Sequence, residues 1–113
     1  MSDACLFCRI VAGTIPATLV ASSEAAVAFR DLHPQAPTHV LVIPRAHVAS
    51  LDAAEDPALL GAVFHLARQV ARQEGLADAG YRVVSNVGGD GGQTVPHLHV
   101  HVLGGRQMHW PPG

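Results

Sequence analysis

The chain has few of the features that mark secreted, membrane-embedded or nucleic-acid-binding proteins. Only two of its 113 residues are cysteine (Cys5 and Cys8), charged residues make up 14%, and the formal net charge is −2. That charge argues against broad electrostatic binding to nucleic acid. No apolar run is long enough to cross a bilayer, and residues 1–4 lack the basic start of a signal peptide. We therefore expect a cytoplasmic protein without membrane or nucleic-acid partners, folded as a single domain over residues 1–113, whose cysteines are thiols rather than a disulfide.

Histidine is the residue that the chain has in excess, with eight histidines against seven lysines and arginines together. Three of them, His97, His99 and His101, alternate with apolar residues in the segment 97–103. Because successive side chains of a strand point to opposite faces, these histidines would line one face while their apolar neighbours pack into a core. A glycine-rich turn at residues 88–92 precedes them, and the backbone N–H groups of such a turn can hold an anion. The pattern indicates phosphate chemistry or a metal.

The hydrophobic pattern predicts two helices and five short strands. A short helix over residues 4–12 would end at Gly13, and a long helix would begin with Asp56 as N-cap and Pro57 in its first turn and end at Gly75. Strands are expected near residues 18–21, 26–29, 39–44, 81–86 and 97–103. The fold class that follows is α+β, a five-stranded antiparallel sheet with both helices on one face.

The alternating histidines resemble the signature of the histidine triad (HIT) superfamily, and the resemblance covers nearly the whole chain. It is strongest to the nucleotide-binding branch, the Hint proteins. Besides the triad, the segments that carry it are Phe29-Arg30-Asp31, residues 34–39, Ile43-Pro44, residues 91–95, Leu103-Gly104-Gly105-Arg106 and Trp110-Pro111-Pro112-Gly113. The resemblance implies a homodimer whose two sheets join into one. It also implies an enzyme that binds purine nucleotides such as AMP or GMP and cleaves nucleoside 5′-phosphoramidates and acyl-adenylates to the nucleoside monophosphate, with no cofactor required for the chemistry.

The resemblance assigns the chemistry to three side chains. His99 matches the family nucleophile. A neutral imidazole is a good nucleophile near pH 7, and its attack on the α-phosphorus would give a nucleotidyl-histidine that water hydrolyses. His101 matches the histidine that contacts the phosphate, where an imidazolium would stabilise developing charge. Thr94 matches a hydroxyl near the leaving group that could relay a proton, with a simple loop cap as the alternative.

Substrate-binding positions also follow from the resemblance. Asp31 matches the carboxylate that accepts hydrogen bonds from the ribose hydroxyls. Trp110 matches a tail residue that reaches the partner's active site, with a disordered tail as the alternative. The other positions, in the base pocket, beside the ribose phosphate and in the phosphate loop, are Phe29, Leu32, Asn86, Gly92, Gln93 and Val95.

A second set of residues suits a metal. Cys5 and Cys8 with two later histidines have the ligand count and types of a closed tetrahedral zinc site. Some histidine triad proteins bind structural zinc at positions that match these cysteines, His47 and His97. Other Hint proteins lack both cysteines and bind no metal, and there the two histidine positions belong to the hydrogen-bond network behind the nucleophile.

Two other functions stay open at this stage. A related branch of the superfamily cleaves dinucleoside polyphosphates, although its members usually lack the Leu-Gly-Gly-Arg and Trp-Pro-Pro-Gly endings found here. A nucleotide-binding scaffold whose hydrolysis is incidental is the alternative from another class. The physiological leaving group and the choice between adenosine and guanosine do not follow from the sequence.

Overall fold

The chain forms a sheet of five strands with three helices, and the structure, a computed structural model, describes residues 4–113. In chain order the elements are α1 (Leu6–Ala12), β1 (Leu19–Ser22), β2 (Ala26–Arg30), β3 (Thr38–Pro44), α2 (Pro57–Gln73), β4 (Tyr81–Val84), α3 (Gly88–Gly91) and β5 (Val100–Gly104). All paired strands are antiparallel, in the order β1-β2-β3-β5-β4. The predicted fold class is confirmed, and the glycine-rich loop adds the single turn α3. Within the described residues, no helix is long and apolar enough to span a membrane.

Local sequence sets the ends of both predicted helices. The side chain of Asp56 accepts a hydrogen bond from the N–H of Ala58 at 2.9 Å, and Pro57 occupies the first turn of α2, where its missing N–H costs nothing. The Cys5 sulfur caps α1 by accepting from the N–H of Cys8. Gly13 ends that helix with a φ of 76°, a conformation that glycine adopts at little cost. The cap places Cys5 and Cys8 on the same side of α1, next to each other.

The two longer helices cover opposite faces of the sheet, so the expectation that both lie on one face was wrong. The buried apolar side chains of α2 pack on the face of the sheet that carries Val40 and Val100. Phe7 of α1 packs on the other face, with Phe29 and Leu41. The physical reason lies in β3, which is apolar on both sides and buried almost throughout, and therefore needs cover on both faces.

The fifth strand begins at Val100, three residues later than the alternation predicts. Pro96 has no N–H to give to a ladder, and the N–H of Leu98 donates to the carbonyl of Val48 at 2.6 Å instead. Alternation itself continues through this segment. Val100 and Val102 are buried under α2, while His99 and His101 reach the opposite face, where the candidate site lies.

Candidate active site and metal site

A pocket of about 330 Å³ opens on the face of the sheet that α1 covers. Its apolar side comes from α1, the following loop and β2, and its polar side comes from the end of β2 and the segment leading into β5. Seven of the predicted site residues line it, namely Phe29, Asp31, Leu32, Thr94, Val95, His99 and His101. Phe7 and Ile15 also line it and were not predicted. Their contribution depends on how α1 docks on the sheet, which no local sequence pattern encodes.

The position of His99 is fixed by one hydrogen bond and one ring contact. Its Nδ1 lies 2.7 Å from the carbonyl oxygen of His97. Since a carbonyl oxygen only accepts, Nδ1 carries the proton and Nε2 keeps its lone pair. The Phe7 ring meets the His99 ring edge to face, with 5.1 Å between their centroids. The residue is 5% exposed. The buried imidazole is therefore held in the tautomer that a nucleophile at Nε2 requires.

His101 is held in the complementary tautomer through His39. The backbone N–H of Gln35 donates to Nδ1 of His39 at 3.0 Å, so a neutral His39 carries its proton on Nε2. That Nε2 lies 2.9 Å from Nδ1 of His101. His101 must therefore accept at Nδ1 and carry its own proton on Nε2. Burial, followed by the neighbouring His99 and His39, lowers the pKa of His101 to about 4, so that this residue is a neutral donor at pH 7 rather than the expected imidazolium.

His39 was predicted only to open the third strand and was given no part in the site, yet it connects Asp31 to His101. Its Nε2 lies 3.4 Å from Oδ2 of Asp31, and burial lowers its pKa. The signal that identifies His39 is the register between β3 and β5. Leu41 faces His101 and His39 faces Leu103, which makes His39 and His101 diagonal neighbours. Strand register depends on the complete sheet and could not be taken from the sequence.

Asp31 has one oxygen committed locally. Its Oδ1 accepts from the N–H of His33 at 2.8 Å, which fixes the carboxylate at the end of β2. Its own N–H donates to the carbonyl of His39. The carboxylate therefore faces the pocket in a fixed orientation, with acceptor capacity left on both oxygens.

Four predicted binding residues do not line the pocket, namely Asn86, Gly92, Gln93 and Trp110. The side-chain amide of Gln93 holds the loop together. Its Nε2 donates to the carbonyls of Ala49 (2.7 Å) and Val95 (3.0 Å), while its Oε1 accepts from the N–H of Gly88. Trp110 is 82% exposed on its own chain. The roles of these four residues stay predictions.

The four predicted metal ligands come together behind the nucleophile. Cys5, Cys8, His47 and His97 present ligand atoms that all lie within 4.8 Å of one another. The Nδ1 of His97 lies 3.4 Å from the Cys5 sulfur and 3.6 Å from the Cys8 sulfur, and the Nδ1 of His47 lies 3.3 Å from the Cys8 sulfur. Standard Zn–S and Zn–N bond lengths put two ligands of a tetrahedral zinc site about 3.6 Å apart. The spacing of the donor atoms therefore fits zinc.

The tautomer of His97 supports the same fit. Its Nε2 lies 3.0 Å from the carbonyl oxygen of Pro44 and therefore carries the proton. Nδ1, which faces the two sulfurs, is left with its lone pair, as a metal ligand must be. The imidazole is fully buried, and burial lowers its pKa, which favours the neutral form that binds metals.

Asp31, His39 and His101 form a second group of possible metal ligands. The tautomer of His39 does not suit a metal there. A metal between these residues would need the lone pair on Nε2 of His39. The N–H of Gln35 occupies Nδ1 as a donor, so a neutral His39 has its only proton on Nε2. This group therefore suits hydrogen-bond transfer rather than metal binding.

Comparisons with known proteins agree with this geometry. The HIT domain model matches residues 12–108. The 14 kDa zinc-binding protein of Zea mays is 51% identical over 112 residues, covering 96% of this chain and 87% of that protein. The crystal structure of a HIT family hydrolase from Legionella pneumophila Philadelphia 1 has a TM-score of 0.93 at 51% identity, covering 96% of this chain and 99% of that one. A histidine triad nucleotide-binding protein from Candida albicans has a TM-score of 0.85 at 28% identity, covering 96% and 83%. The chain belongs to the HIT domain family.

Proposed function

We propose that this protein is a Hint-type nucleoside phosphoramidase, a purine nucleotide-binding hydrolase that acts through a nucleotidyl-histidine. The observation that carries the proposal is the hydrogen bond from Nδ1 of His99 to the carbonyl of His97, at 2.7 Å. It leaves the Nε2 lone pair as the nucleophilic atom of an imidazole that lines the pocket. The HIT family hydrolase and nucleotide-binding protein that resemble the chain support the same reaction class.

The reaction proceeds in two displacements at the α-phosphorus. Nε2 of His99 forms a bond to phosphorus while the P–N bond to the amine, or the P–O bond to the acyl group, breaks. The Nε2–H of His101, whose Nδ1 faces His39 at 2.9 Å, hydrogen-bonds a phosphate oxygen or the leaving atom. The Thr94 hydroxyl, at the exposed side of the pocket, relays a proton from solvent to the departing amine, which leaves as a neutral molecule. Water then attacks phosphorus and gives up a proton to the solvent, while the P–N bond to His99 breaks, returns its electron pair to Nε2 and releases the nucleoside monophosphate.

The rest of the nucleotide is held by the apolar side of the pocket and by Asp31. The base lies against Phe29 and Leu32, and the ribose hydroxyls donate to the Asp31 carboxylate, which its bond from the His33 N–H already orients. The loop braced by Gln93 holds the phosphate. Because apolar walls discriminate purines weakly, the site is expected to accept both adenosine and guanosine nucleotides.

Cys5, Cys8, His47 and His97 hold a structural zinc ion in this proposal. The spacing of their donor atoms and the tautomer of His97 support it, and so does the resemblance to a zinc-binding protein. When bound, the ion would supply no chemistry to the substrate and would clamp the segment that precedes the nucleophile.

The proposal includes a homodimer. β4 lies at one edge of the sheet, where Tyr81 and Val83 are each 38% exposed, and Trp110 is 82% exposed. A second copy paired along this edge would cover these side chains. Sedimentation at micromolar concentration should give the mass of two chains, and a monomer would exclude a role for Trp110 in the partner's site.

The experiment that tests the reaction uses adenosine 5′-phosphoramidate. The protein is mixed with this substrate, quenched in the steady state and examined by intact mass while AMP release is followed. We expect turnover together with a mass increase of one adenylyl group, mapped to His99. Tight AMP binding with neither adduct nor turnover would favour the binding-scaffold alternative.

A further inference from the structure

Within the described residues, no side chain with a permanent positive charge is directed into the pocket, although the proposed substrate carries an anionic phosphate. The sequence contains no lysine, so all seven of its basic side chains other than histidine are arginines. One arginine, Arg30, is among the residues that line the pocket, between Phe29 and Asp31. Strand alternation directs its side chain to the α2 face, where its guanidinium pairs with Glu74 at 2.6 Å.

The other arginines are engaged or lie elsewhere. Arg45 donates to the carbonyl of Ser23, Arg82 to that of His109, and Arg106 to those of Gln35 and Gln107. Arg9, Arg68 and Arg72 are exposed on the two helices and are not among the pocket residues. Within residues 4–113, therefore, no guanidinium reaches the polar side of the pocket.

Neutral groups are left to hold the phosphate. The backbone N–H groups of Thr94 and Val95 have no hydrogen-bond acceptor within the described chain and lie in the segment that lines the pocket. The Thr94 hydroxyl and the Nε2–H of His101 add two more donors. The titratable side chains that line the pocket or contact its lining are Asp31, His33, His39, His99 and His101, and Asp31 is the only acid among them.

We infer that this site selects ligands by charge, accepting a nucleotide whose transferred phosphorus carries one negative charge and disfavouring phosphate dianions. This inference rests on the proposed function and narrows its substrate class. Phosphoramidates and acyl-adenylates carry one negative charge at that phosphorus. A nucleoside monophosphate carries about two above its second pKa near 6. A second charge, desolvated near the Asp31 carboxylate with no cation beside it, is costly. The product is thereby bound more weakly than the substrate.

The test compares two ligands that differ in one methyl group. Binding of AMP and of adenosine 5′-methyl phosphate, a monoanion that does not titrate in this range, is measured by calorimetry from pH 8 to pH 6, with adenosine as the reference. At pH 8 we expect the methyl ester to bind about tenfold more tightly than AMP, which corresponds to about 1.4 kcal/mol. AMP affinity should rise toward pH 6 as its phosphate gains a proton, while that of the ester stays constant within about twofold.

AMP binding at pH 8 that equals or exceeds that of the ester would overturn the inference, and so would a parallel rise for both ligands. Failure of both ligands to bind would instead overturn the proposed nucleotide site.

A matched pair of variants tests the cause. Thr94 is exposed and lines the pocket, so a longer side chain can be placed there without disturbing the core. In Thr94→Arg the preference for the ester at pH 8 should fall by about fivefold or more through tighter AMP binding, whereas Thr94→Gln, which is long but neutral, should keep it. An equal change in both variants would show that size, and not charge, sets the preference.

Discussion

His97 and His99 are joined by a hydrogen bond of 2.7 Å between the carbonyl oxygen of the first and the Nδ1 of the second. The same His97 directs its imidazole Nδ1 at the sulfurs of Cys5 and Cys8. One residue therefore belongs to both sites, with its side chain in the metal site and its backbone carbonyl setting the tautomer of the proposed nucleophile.

Replacing His99 by alanine should abolish turnover while leaving nucleotide binding largely intact. The variant loses the nucleophilic nitrogen but keeps the apolar walls and Asp31. We expect the rate of phosphoramidate hydrolysis to fall on the order of 10³-fold or more, with the dissociation constant for AMP changing by less than about tenfold. The control is His65→Ala, on the exposed side of α2. Turnover near that of the control would exclude the nucleotidyl-histidine mechanism.

Metal content provides a test that does not depend on activity. The purified protein should contain one zinc ion per chain by elemental analysis, and Cys8→Ser should lose most of it, because a serine hydroxyl is a poor zinc ligand. The variant should also unfold at lower urea concentration, since metal binding stabilises only the folded chain. His33→Asn, a change at an exposed histidine outside the cluster, is the matched control. Wild-type zinc content in Cys8→Ser would contradict the assignment.

The sequence predicted most of the fold because its signals are local. Asp56, Pro57 and Gly13 act at helix ends as expected. The alternation correctly places Val100 and Val102 on one face of the sheet and the histidines His99 and His101 on the other. The features of the fold that the sequence did not predict depend on contacts between residues that are distant in the chain. Leu98 donates to Val48 rather than to a strand neighbour, so β5 starts later than predicted.

The candidate site also combines features that follow from local sequence with features that depend on distant contacts. The cysteine spacing and the histidine pattern identified groups that the structure brings together. The pairing of His39 with His101 comes from the β3–β5 register, and the lowered pKa of His101 comes from its burial and from the neighbouring His99 and His39. Neither has a counterpart in the local sequence. His101 is therefore a neutral hydrogen-bond donor with a pKa of about 4, where the sequence predicted an imidazolium.

Stability should fall as the pH is lowered from about 6.5 toward 4. The pKa of His101 is about 4 in the folded protein and about 6.5 in an unfolded chain. Between these values the unfolded state binds the proton and the folded state does not, so the contribution of this residue is fully present above pH 6.5 and is lost as the pH falls through 4. Burial lowers the pKa of His39 as well, which adds in the same direction.

The measurement is urea unfolding at several pH values between 7.5 and 4.5, for the wild type and for His101→Gln. The variant should show a shallower loss of the free energy of unfolding across this interval, because one of the titrating groups is gone while the carboxylates remain. An identical pH dependence in the two proteins would show that His101 keeps an ordinary pKa.

Substitution of Gln93 should affect folding stability even without nucleotide, because its amide joins two parts of the glycine-rich loop to each other and to Ala49 in the segment after β3. Nε2 donates to the carbonyls of Ala49 and Val95, and Oε1 accepts from the N–H of Gly88. Gln93→Ala removes these bonds, and we expect it to lower the free energy of unfolding by about 1–2 kcal/mol. Gln93→Glu has nearly the same shape but only acceptor atoms, which leaves two carbonyl oxygens facing a carboxylate, and it should be the less stable of the two. Urea unfolding without ligand separates this brace from direct phosphate binding by the side chain. If Gln93 only binds phosphate directly, both variants would keep wild-type stability and lose only affinity for AMP.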